Sequence, residues 1–174
     1  EALAEVPLYR QAFGRTPEGR NIVEQIRHVR EMDRFAGVRD LVLAPPDLAK
    51  ALSALTATFA RVYLRHGARE HTIAFVHAVT GPASLRRIAP HVSSETAGRA
   101  LPYAWQTAAA IYAAYAPEHG LGRSEVSRLT PDELATRAVG NGDEHAIKFT
   151  EVMLAEHAIN PDPVYLAAAE DVIK

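Results

Sequence analysis

Residues 143–157 read DEHAIKFTEVMLAEH. At 100° per residue, His145, Lys148, Phe149, Val152 and Glu156 fall on one side of a helix, with Ile147 and Leu154 on the other. A helix that is apolar on both sides belongs at the centre of a bundle. The rest of the chain agrees with that reading, since its segments show helical period and no run alternates like a strand.

Working outward, NIVEQIRHVREMDRFAG places Ile22, Ile26, Val29 and Phe35 near one face and predicts a helix ending at Gly37. APPDLAKALSALTATFARVYLRHG opens on Pro45, Pro46 and Asp47, helix-start chemistry, and closes at Gly67. EHTIAFVHAVTG reads as a shorter helix stopped by Gly81-Pro82, with a helical turn or two in ASLRRIAPH after it. SSETAGRALPYAWQTAAAIYAAYAP is long, and Pro102 inside it predicts a kink or restart. TPDEL is a capping box with Thr130 as N-cap, Pro131 at the first helical position and Glu133 at the third. Asn141-Gly142 turns the chain into the opening stretch, and NPDPVYLAAAEDVI gives a last helix. The expected fold class is all-α, a multi-helix bundle of about seven or eight helices in a single domain over residues 1–174.

Apolar content of 48% and charged content of 23% are those of an ordinary globular protein. A formal net charge of −2 offers no global field for nucleic acid or an anionic membrane. With no cysteine there are no disulfides, thiolate metal sites or Cys nucleophiles. The apolar runs are too short and too polar to span a bilayer. No secretion signal opens the sequence, so a cytoplasmic location is expected. HExxH, GxGxxG, P-loop and GxSxG patterns are missing, which counts against nucleotide-binding and serine-hydrolase chemistry.

Of the 19 basic residues only Lys50, Lys148 and Lys174 are lysines. Two readings of Lys148 stand. It pairs with Glu144 or Glu151 on the helix flank, contributing a few tenths of a kcal/mol. Alternatively it does what Arg cannot: a desolvated amine loses its proton and adds carbon dioxide, giving a carbamate that ligates a metal beside His145. His77, in FVHAVTG, sits among apolar residues as either a core imidazole or a metal ligand. His71 lies well round the helix from His77, and His157 sits near a helix end. His28, His66, His91 and His119 read as surface residues.

Taken in order, His77 to Gly81, the long segment with Trp105, Tyr112 and Tyr115, and His145 with Lys148 resemble the questin oxidase-like family. The resemblance covers the C-terminal half of such proteins. It implies oxygenase chemistry, the opening of a ring of an aromatic polyketide (anthraquinone-like) by dioxygen, on a non-haem iron held by histidines and a carboxylated lysine. By motif, His77, His145 and Lys148 are the iron ligands expected here. Thr80, one turn after His77, orients that ligand or bound oxygen, and Phe75, Trp105, Tyr112 and Tyr115 line a flat aromatic pocket. Packing between helices is the alternative for those aromatics. Arg86 and Arg87 read as a solvated surface pair or as anchors for a phenolate or carboxylate. The chain begins at Glu1, and a missing N-terminal half or partner chain is expected to supply further His ligands and cover the central helix. The rival readings are a metal-free, NADPH- or flavin-assisted Baeyer–Villiger-type oxidase and a non-catalytic helical interaction domain.

Overall fold

The computed structural model describes residues 2–42, 47–67, 72–117 and 123–174. Pro45, Pro46, His71 and His119 lie outside the described residues. Among the described residues there are eight α-helices and no strand: α1 (Tyr9–Phe13), α2 (Ile22–Arg27), α3 (Leu48–His66), α4 (Thr72–Ile88), α5 (Ser94–Tyr115), α6 (Pro131–Asn141), α7 (Glu144–Ile159) and α8 (Pro163–Val172). Helix α4 packs between α3 and α5, α7 packs on α8, α6 and α4, and α3 closes against α8. None of these helices is long and apolar enough to cross a membrane.

Local chemistry sets most of the boundaries. Asp47 caps α3 by accepting from the Lys50 N–H at 3.0 Å. Thr130 and Glu133 form both halves of the capping box on α6, and Gly142 ends that helix in the left-handed region at φ 76°. Asp143 caps α7 through the N–H groups of His145 and Ala146. Asp162 caps α8, with Pro163 at its first position.

Four expectations need correction. The helix read through Gly37 breaks after Arg27 into two 3₁₀ turns, His28–Glu31 and Phe35–Leu41. Val29, Met32, Phe35 and Val38 are the buried residues of this stretch; Phe35 and Val38 are spaced as the 3₁₀ repeat requires, and the extended backbone at Met32 separates the two turns. Gly81-Pro82 does not stop α4, which continues to Ile88. Buried Val79 and Thr80 before the proline and Ala83 and Leu85 after it hold the helix together, against a proline cost of about 3 kcal/mol. Likewise α5 does not restart at Pro102 but runs on through it, between buried Leu101 and Trp105.

The fourth correction concerns α7. Its buried residues are Ala146, Phe149, Thr150, Val152, Met153 and Glu156, which form one face, while Ile147 and Ile159 are exposed. The helix is therefore one-sided, and the case for a covering chain loses its two-faced premise. Of the two residues that made the helix look two-sided, Ile147 is exposed and Leu154 packs partly buried at the edge of the same core; the buried face also carries Glu156, a carboxylate at 2% exposure. Arg86 grips it with Nε to Oε1 at 2.7 Å and Nη2 to Oε2 at 3.0 Å. Thr56 donates to the same carboxylate at 3.0 Å, and Arg86 also donates to Ser53 Oγ at 2.8 Å. The Tyr165 hydroxyl donates to the Ser53 carbonyl at 3.0 Å, so the network ties α3, α4, α7 and α8 together. Arg86 is thus a part-buried residue bound to a core carboxylate, not half of a solvated surface pair.

Candidate functional site

Helices α4 and α7 bring three of the expected residues to one place. His77 on α4 and His145 on α7 meet edge to face, ring centroids 5.8 Å apart and planes at 88°. Lys148, one turn along α7, lines the same cavity as His77. The cavity holds about 790 Å³ and is open to solvent. Its polar lining includes His77, Thr80, Ser84 and Lys148, with Asn21 from the α2 N-cap and Thr107 from α5, and its apolar wall includes Ile22, Ile26, Ile111 and Val152. Arg87 and Glu151, both lining residues, are paired from α4 to α7. That pair takes up one of the two carboxylates the sequence offered Lys148; Lys148 itself is exposed and makes no ion pair among the described residues.

Burial, then the Lys148 ammonium, then His145 hold His77 below the ordinary imidazole pKa of 6.5. At neutral pH His77 is therefore uncharged and able to accept a proton. Gly81 lines the cavity as well, and a Cβ built there meets nothing within 4 Å. A glycine in mid-helix costs about 0.5–1 kcal/mol relative to alanine, and here it leaves the cavity wide.

The expected iron site is not formed. Among the described residues no group of three or more His, Cys, Asp or Glu side chains is placed to hold a metal ion. His77 and His145 supply two imidazoles, but the third corner is a lysine acting on His77 as a positive charge. The carboxylates nearest His145 do not complete a set. Asp143 and Glu144 stand 3.8 Å from its Nδ1. Asp143 Oδ1 is committed to two backbone N–H groups at 2.8 and 2.9 Å, and the Glu144 side chain is 88% exposed. The iron-dependent ring-opening reading falls with this ligand set.

Thr80 stands where expected, one turn from His77 on the same wall. The aromatic residues do not. Phe75, two residues from His77, points to the opposite side of α4 and is fully buried. Trp105 donates from Nε1 to the Val38 carbonyl at 2.7 Å and lies 5.9 Å from Phe59. The Tyr115 hydroxyl donates to Gln25 Oε1. Tyr112 faces His66 edge-on at 5.6 Å and lines a separate cavity. On α5 it is Thr107 and Ile111 that face the His77 cavity, one turn apart. Sequence reasoning missed Ser84, although His77, Thr80, Gly81, Ser84 and Arg87 recur at three- and four-residue steps along one stripe of α4.

No family model, curated protein or solved structure matches the chain.

Proposed function

We propose that the α4–α7 cavity binds a small, largely apolar molecule carrying one acidic hydroxyl, a phenol or enol, and promotes its ionisation. The observation that carries this is the pairing of an uncharged His77 with the Lys148 cation in an apolar-walled cavity. The ligand O–H bond breaks, its proton passes to the His77 imidazole, and the electron pair stays on oxygen as an anion facing Lys148. A base of lowered pKa beside a fixed cation is a recurrent arrangement for proton abstraction. Lys148 is exposed at the open cavity, so its ammonium meets the anion from the solvent side while the apolar walls hold the ligand body. A hydroxylated aromatic, the ligand class that the sequence resemblance implies, has the required acidity and a flat apolar body.

A hydroxyanthraquinone dye tests this, because its visible absorbance moves to longer wavelength on ionisation. The expected result is saturable binding with the phenolate spectrum below the free dye's pKa. Lys148→Met and His77→Gln should each weaken the spectral change, and Gly81→Leu, which fills the cavity, should abolish binding in a folded protein. Absence of binding, or an undiminished phenolate spectrum in the Lys148→Met/His77→Gln double variant, overturns the proposal.

A further inference from the structure

A second cavity of about 470 Å³ abuts the first at Val23, Ile26 and Thr107. Its floor is the three-spaced row Val29, Met32 and Phe35, and Ala110 of α5 forms part of the facing wall. Val29 comes from the first 3₁₀ turn, Phe35 from the second and Met32 from the extended step between them, and all three line this cavity. Between the cavities stands Val23, 56% exposed. The titratable groups that suit an acidic head, His77 and Lys148, belong to the first cavity alone. The second is lined by the guanidiniums of Arg27 and Arg30 and the carboxylate of Asp33, exposed as Lys148 is, and has no imidazole to take up a proton.

We infer that the two cavities form one binding groove for an elongated amphiphile, whose acidic hydroxyl lies at His77 and Lys148 and whose apolar tail runs past Val23 over Val29, Met32 and Phe35. This rests on the ionising-site reading above and adds a length requirement to it. The α4–α7 cavity alone suffices for a compact ligand and gives no reward for a tail. The joined groove rewards each methylene that reaches the second cavity by about fourfold in affinity.

The test compares para-ethylphenol with para-nonylphenol by calorimetric titration of the whole chain. Para-nonylphenol should bind the parent at least tenfold more tightly. Two variants narrow the second cavity from opposite walls. Ala110→Phe acts from α5, and Ala36→Trp acts from the exposed 3₁₀ turn, where a larger side chain does not burden folding. Each should erase most of the nonyl advantage while leaving para-ethylphenol affinity within twofold of the parent. A nonyl advantage that survives in folded Ala36→Trp protein overturns the joined groove and leaves the ionising site standing. Failure of both phenols to bind the parent, or ethylphenol binding indifferent to Lys148→Met, overturns the ionising site and the groove with it.

Discussion

The imidazoles of His77 and His145 meet edge to face across the α4–α7 contact, with centroids 5.8 Å apart and planes at 88°. Lys148 stands on the same helix as His145 and adds a positive charge to this pair. Burial alone lowers the pKa of His77; the two neighbours lower it further. Replacing Lys148 with Met removes one of those charges. The imidazole resonances of His77 should then titrate at a higher pH than in the parent, still short of 6.5 because burial remains. Lys148→Arg keeps the charge and should leave the titration near the parent's. A His77 curve unmoved by Lys148→Met would show that the lysine does not act on it.

The Arg86–Glu156 pair predicts an asymmetric mutational response. Glu156→Leu alone strands a guanidinium whose side chain is 18% exposed, and Arg86→Met alone strands a carboxylate at 3%. Breaking a buried pair from one side costs about 3–5 kcal/mol. The double variant strands neither charge, so urea denaturation should place it well above either single variant. Equal and additive losses would mean that the pair carries no coupling.

These residues also show what the sequence made legible. Thr130, Glu133 and Gly142 act within a few positions of themselves, so TPDEL and NG could be read directly, and the boundaries of α6 followed. Arg86 and Glu156 are 70 positions apart, and no local pattern announces that they meet. The same holds for Trp105 and Val38, separated by 67 positions. Pro82 was misread because its local cost is visible in the sequence while the burial that offsets it is not. Within the site, the helical spacing of Thr80 from His77 sufficed to place that pair on one wall, whereas of His145 and Lys148 only Lys148 lines the cavity and His145 meets the His77 ring. The cavity itself depends on α2 and α5, which local spacing does not connect to α4 or α7.

Acid should loosen the fold before its carboxylates titrate. His66 is 7% exposed, not at the surface as its place before Gly67 suggested, and burial followed by the charge of Arg65 lowers its pKa below 6.5. His77 shifts in the same direction. For a base with a lowered folded pKa, the unfolded chain binds more protons at pH values between the folded and unfolded pKa. Stability is therefore complete above about 6.5 and falls as the pH drops through that window. The lowered carboxylates Asp143, Glu133 and Glu170 lose their contribution further down, below their ordinary values of 3.8 to 4.5. Thermal denaturation between pH 7 and 5 should show a falling midpoint, and His66→Phe should flatten the slope. An unchanged slope would remove His66 from the acid response.

Trp105 separates a core role from a ligand-binding one. Its indole N–H meets the buried Val38 carbonyl at 2.7 Å, and its ring packs near Phe59, away from the His77 cavity. Trp105→Phe keeps most of the apolar volume but leaves that carbonyl without its donor. An unsatisfied buried polar group costs about 1–3 kcal/mol, and the lost ring atoms add a small cavity cost. Chemical denaturation should register a loss of that size. If the aromatic belonged to the binding wall, dye affinity would fall along with stability. The geometry predicts otherwise: at a temperature where the variant is folded, its dye affinity and phenolate spectrum should match the parent's. A large drop in affinity with native stability intact would return Trp105 to the ligand and take it out of the core.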